Sequence, residues 1–211
     1  MGIDSDLRTE AKAWEKAGSD ALANGDLKIA ATDFREAANK LRTAGDFDMS
    51  AFDSKRAGDA LEREGQIKQT EGHSAKNRTE REKDYKDAKN AHEGAARNFE
   101  AAGRTALQGN SPFRFSDAQD HYANAGYNRD VAGVFSQDVN KLEAPKNYQY
   151  AHDDYELAKK QGKDAAKAGD RDDAATCDRS DERMDYSNKA DLAQKAADDA
   201  SRALKDPRNK L

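Results

Sequence analysis

Apolar residues recur along this chain at alternating steps of three and four, the spacing that gathers them on one face of an α-helix. Leu7, Ala11, Trp14, Gly18 and Ala21 predict a first helix. Asn24-Gly25-Asp26 breaks it, with Gly25 suited to a left-handed C-cap and Asp26 to capping the next start. Leu27, Ala30, Phe34, Ala37 and Leu41 predict a second helix, which Ala44-Gly45-Asp46 ends. So short a connection requires the two to lie antiparallel. A weaker pattern through Phe47, Ala51, Gly58 and Leu61 predicts a third helix ending at Gly65.

From residue 67 to 84 only Ile67 and Ala75 are apolar, so the segment reads as a polar helical extension or connector. Tyr85, Ala88, His92, Ala95, Phe99, Ala102 and Ala106 then carry the longest periodic run. Phe115, Ala118, Tyr122 and Ala125 predict one further helix, and Val131, Phe135, Val139 and Leu142 another, closed by Pro145. Ala151, Tyr155, Ala158, Gly162 and Ala165 open the last third, continued by Ala174, Cys177 and Met184 and then by Leu192, Ala196, Ala200 and Ala203. The expectation is eight or nine helices in a single domain spanning residues 1–211.

Self-comparison strengthens that reading. Between Ala11 and Leu41, Trp14, Ala17, Gly18, Ala21, Gly25, Ala30, Phe34 and Ala37 stand at fixed spacings. Phe99, Ala102, Gly103, Ala106, Ala118, Tyr122 and Ala125 repeat them with a longer loop. Gly162, Ala165, Gly169, Asp170 and Ala174 form a third, weaker copy, and Ala57-Gly58 to Gly65 a degraded fourth. This arrangement resembles the tetratricopeptide (TPR) repeat, departing from it at Ala17, Ala21 and Arg42. The run from Phe34 to Phe47 is also similar to the SNAP-type variant of the helical hairpin. The resemblance implies an all-α fold of antiparallel hairpins stacked as a short solenoid, with Trp14, Gly18, Ala30, Phe34, Phe99, Gly103, Ala118 and Tyr122 as the packing residues. An irregular α-helical bundle is the alternative, since small residues at these steps also permit close axes in any bundle.

Composition agrees with helix. The chain has 39 Ala but only 3 Val, 3 Ile and 11 Leu, too few β-branched residues to cover a sheet. Alanine contacts bury little area each, so modest stability is expected. No apolar run approaches a membrane span or a secretory h-region, and the single Cys177 excludes an internal disulfide. These features fit a soluble chain in a cytoplasmic setting, with export by a route independent of a signal peptide equally compatible.

No constellation reads as catalytic. Asp117 with His121, and His152 with Glu156, each put two potential metal ligands on one helix face, but two ligands do not make a site. The acidic run Asp170 to Asp173 lacks the ligands and glycine of a calcium loop. Cys177 reads as a small core residue, and no phosphate-binding glycine motif appears. No metal or cofactor is therefore expected, and the chain reads as a non-enzyme. The net charge of −5 disfavours nucleic acid.

The resemblance further implies that the first helix of each hairpin lines a groove. Its ligand-facing positions are Glu15, Ser19 and Leu22, then Glu100, Arg104 and Leu107, then Lys159, Lys163 and Lys167. The candidate partner-binding residues are accordingly Arg104, Lys159, Lys163 and Lys167, and the expected partner is another protein, offering an acidic or helical segment. The functional expectation is a non-catalytic interaction module acting as adaptor, chaperone or exported effector. A SNAP-like adaptor for helical bundles and an α-helical enzyme or ligand-binding protein are the alternatives.

Overall fold

The computed structural model describes residues 3–168 and 179–205. Among them stand seven helices and no strand: α1 (Ile3–Asn24), α2 (Leu27–Thr43), α3 (Phe47–Ser74), α4 (Arg78–Ala106), α5 (Arg114–Val139), α6 (Ala144–Ala168) and α7 (Arg179–Lys205). Gly169, Asp170, Ala174, Cys177 and the run from Asp170 to Asp173 lie outside the described residues.

The first two turns follow from local chemistry. Gly25 and Gly45 adopt φ of +83° and +75°, where a Cβ would be strained. Each closes a helix with the same pair of bonds. Asp26 N donates to Ala21 O at 2.9 Å and Gly25 N to Leu22 O at 3.2 Å, and Asp46 N to Leu41 O at 2.9 Å and Gly45 N to Arg42 O at 3.1 Å. Asn77 starts α4 by accepting from the backbone N–H of Glu80 at 2.9 Å.

Two expected breaks are absent, which lowers the helix count. Gly65 does not end α3: it is buried in mid-helix, because the His92 ring of α4 lies where its side chain would be. The gap between Ala125 and Val131 is likewise continuous helix, since Gly126 and Asn128 are buried against neighbouring helices. Residues 67–74 prolong α3 and 78–84 begin α4, so the polar segment forms the outer end of the α3/α4 hairpin. There Gly72 is buried under the Tyr85 ring, a narrow seam that needs no apolar run.

Each helix packs most extensively on its neighbours in sequence. The seams have a seven-residue register. Gly58, Gly65 and Gly72 of α3 face Phe99, His92 and Tyr85 of α4, and a Cβ on any of them would come within 3.0 Å of the opposing ring. Across α5 and α6, Gly126 and Gly133 face Tyr155 and Tyr148, and in the same register Gln119 faces Gly162. A step of seven returns to the same side of a helix after two turns, so a glycine every seven residues keeps one close seam along an antiparallel pair. Tyr155 and Tyr148 also pack on Ala190, Ala193 and Ala197 of α7, joining three helices.

Helices two apart also meet. Arg56 of α3 donates to Ser19 of α1 at 2.8 Å, and Asn128 of α5 donates to Glu62 of α3 at 3.1 Å. Asn147 of α6 donates to Glu93 of α4 at 2.9 Å. The chain is thus a stack of antiparallel helices in two layers, with α1, α3 and α5 in one and α2, α4 and α6 in the other.

Candidate functional site

Buried polar side chains gather where the helices of the stack meet. Three clusters emerge, and each ties helices together. In the first, Arg56 lies 3.7 Å from the centre of the Phe34 ring, on whose atoms Gly18 also closes, and donates to Asp53 at 3.3 Å. Burial, then the charge of Glu15, pushes the Asp53 carboxyl up to about 7, against the pull of Arg56. In the second, His92 is 1% exposed and its Nδ1 lies 2.7 Å from Asn128 Oδ1. The Asn128 amide donates to Glu62 and to Asn124 O, so its oxygen is the acceptor and His92 carries its proton on Nδ1. Burial holds the His92 pKa below the ordinary value. In the third, Arg129 of α5 bonds Glu100 of α4 and, at 3.1 Å, Asp154 of α6. Burial, then Glu100, pushes Asp154 up to about 8, against Arg129.

His121 is buried with its Nδ1 unpartnered, and burial, then Lys55, brings its pKa down to about 4. Asp117 beside it is exposed, and no group of three or more metal-ligating side chains gathers among the described residues. His152 contacts Asp153 at 3.1 Å.

The expected packing residues divide. Gly18, Ala30, Phe34, Phe99, Gly103, Ala118 and Tyr122 are all buried, and the Phe34 and Tyr122 rings lie over Gly18 and Gly103 respectively. Trp14 corrects its expectation: it is 39% exposed, because Phe34 already fills the space over Gly18.

The expected groove is also rearranged. Leu22 and Leu107 pack against core clusters instead of facing outward. Glu15 and Ser19 sit on α1, in the opposite layer from α4 and α6, so they share no face with Arg104 or the lysines. Arg104 pairs with Glu100 at 3.7 Å, Lys159 with Glu156 at 3.0 Å and Lys167 with Asp164 at 3.6 Å, each within its own helix. Lys163 is exposed.

The layer of α2, α4 and α6 instead carries two adjoining grooves that the linear pattern does not reveal. Between α4 and α6 lies one of about 390 Å³, where Lys89 pairs with Glu93 at 3.3 Å and with Glu143, and Arg129 bonds Glu100 and Asp154. Between α2 and α4 lies another of about 450 Å³, lined by Arg35, Asn39 and Arg42 on one wall and Asn90, Arg97 and Asn98 on the other. Ala38, Ser50, Ser54 and Gly94 are buried at its base, and no carboxylate lines it. Arg97 borders both grooves.

Charge in the α2/α4 groove is uncompensated. Among the described residues the guanidinium groups of Arg35 and Arg97 have no ion-pair or hydrogen-bond partner, and Arg42 donates only to Asn39, at 3.0 Å. Ser50 already donates to Ala38 O at 2.8 Å and Asn98 to Gly94 O at 2.8 Å, which leaves the Asn98 carbonyl free to accept. The signal in the sequence was Arg35 and Arg42 seven apart, two turns along one helix face. Arg97 could not be joined to them without knowing that α2 and α4 share a layer.

No family model and no curated protein matches this chain. Among solved structures it is similar to the one titled "DHF58 filament", with a TM-score of 0.51 and 13% identity over 97% of this chain and 84% of that one. A de novo designed helical repeat protein, DHR64, aligns over 98% of this chain and 96% of its own at 11% identity, with a TM-score of 0.33. The chain is an all-α helical repeat stack. No described helix is long and apolar enough to cross a membrane.

Proposed function

We propose that this protein is a non-catalytic protein-interaction module, an adaptor, chaperone or exported effector, whose repeats resemble the TPR and SNAP-like hairpins and which holds a partner segment across the layer of α2, α4 and α6. The observation that carries the reading is the α2/α4 groove: an open cleft whose Arg35 and Arg97 guanidiniums make no bond within the described chain. Two guanidiniums left without an acceptor, beside a third that meets only an amide oxygen, favour an external anion. The buried His92 and Asp154 are each bonded across helices, to Asn128 and to Arg129, and so hold the stack that carries the groove. The setting proposed is the cytoplasm, or the far side of an export route that reads no signal peptide.

A photo-crosslinking amino acid placed at Asn90, and in separate variants at Asn124 and Asp191, tests this in lysate of the source organism. Protein adducts formed from Asn90 and absent from the two distant positions support the face. Adducts formed equally from all three, or from none, overturn it.

A further inference from the structure

We infer that the α2/α4 groove is a recognition site for an extended acidic peptide segment, with Arg35, Arg42 and Arg97 as carboxylate anchors and Asn39, Asn90 and Asn98 as backbone clamps. This rests on the reading of the protein as an interaction module and adds the chemistry of the partner.

Spacing is the first argument. Arg35 and Arg42 are seven residues apart on α2, a rise of about 10.5 Å along the helix. A peptide in the extended polyproline II conformation advances about 3.1 Å per residue with three residues per turn, so carboxylates three residues apart share one side and roughly match the two guanidiniums. Arg97 faces them from α4 and can close on the same row of carboxylates from the opposite wall. Arginine suits this task because its fork of donors meets a carboxylate with two bonds.

The second argument is the neutral lining. Asn39, Asn90 and Asn98 place carboxamides on both walls, and each can donate to and accept from a peptide backbone. The base offers small side chains, Ala38, Ser50, Ser54 and Gly94, so a main chain can approach closely. Contrast within the same layer gives the third. In the α4/α6 groove Lys89 pairs with Glu93 and Glu143, and Arg129 with Glu100, so these cations are answered internally. Of the two grooves, the one between α2 and α4 lacks a carboxylate on its walls, and it does so in a chain whose overall balance is −5. An excess of acid elsewhere makes an unopposed arginine cluster a local attraction for acidic segments and discourages polyanions large enough to feel the whole molecule.

The test uses the full chain and a fluorescein-labelled dodecapeptide with Glu at every third position among Ser and Ala, followed by anisotropy in low salt. Binding is expected for this peptide and not for its Glu→Gln counterpart. It should weaken about tenfold or more between 0.05 M and 0.5 M salt, as screening shortens. The triple variant R35Q/R42Q/R97Q should lose at least tenfold in affinity with unchanged circular dichroism. The exposed-lysine variant K12Q/K76Q/K83Q, which removes equal charge elsewhere, should bind as the parent does. Equal loss in both triple variants would reduce the effect to net charge, and retained affinity in the arginine variant would remove the groove; either overturns the inference. Failure of the acidic peptide to bind while Asn90 still crosslinks a protein overturns the inference and leaves the interaction reading standing. Failure of both removes both.

Discussion

Phe34 is clasped between Gly18 of the preceding helix and Arg56 of the following one: a Cβ at position 18 would stand 2.8 Å from two of its ring carbons, and the Arg56 guanidinium lies 3.7 Å from its centre. The ring therefore has no direction in which to yield. An alanine at position 18 would gain about 1 kcal/mol of helix propensity but force an overpacked contact that costs about 1–3 kcal/mol. Gly18→Ala is expected to lower stability, whereas Gly103→Ala, where Tyr122 stands 3.1 Å away, should be close to neutral because a few tenths of an ångström suffice. Urea denaturation of the two variants distinguishes them, and equal effects would show that the Phe34 ring moves freely.

The first hairpin offers a second comparison. Phe34 is 1% exposed and Trp14 39% exposed. Phe34→Ala should cost about 3–5 kcal/mol, the usual range for emptying a buried aromatic position. Trp14→Ala should cost less than about 1.5 kcal/mol, in keeping with a side chain that keeps much of its surface in water. Because Trp14 is the single tryptophan, its emission in the native protein should also be red-shifted and open to a neutral quencher. A blue-shifted, protected emission with a large stability loss would restore Trp14 to the core.

Stability should depend on pH through two buried carboxyls, Asp53 and Asp154. Asp53 is raised to about 7 and Asp154 to about 8 from an ordinary value of 3.8, in both cases by burial first. Between that ordinary value and the folded one, the native state holds a proton that the unfolded chain has released, so stability falls as pH rises across this window. His121, brought down to about 4, acts in the opposite sense: the unfolded chain takes up a proton first, and stability falls as pH drops from 6.5 toward 4. From pH 6.5 to 8 only the carboxyl effect remains, and the melting temperature should decline. Asp154→Asn, which keeps a neutral acceptor for Arg129, should flatten that decline. An unchanged slope in this variant would mean that Asp154 is ionised throughout, held by Arg129.

The sequence alone determined the helical class and pointed to the residues of two seams. Alanine in excess, few β-branched residues and steps of three and four leave helix as the only regular structure that can bury these faces, and Gly25 and Gly45 mark turns that local backbone geometry enforces. Gly18 with Phe34 and Gly103 with Tyr122 were legible because partners in adjacent helices follow from hairpin connectivity. Gly65 was misread as a terminator, since a glycine that ends a helix and one that admits the His92 ring look the same until the opposing helix is in place. Trp14 was misread for a related reason: periodicity names a face, but only packing decides which of two aromatics occupies it. The layer assignment was wholly tertiary. Seven helices can alternate so that α2 and α4 share an edge, and that placement, set by the close glycine seams, brings Arg35 and Arg42 to face Arg97 across more than fifty residues of chain. No local pattern encodes such a meeting, because the energy that fixes it is the burial of the helices' other sides.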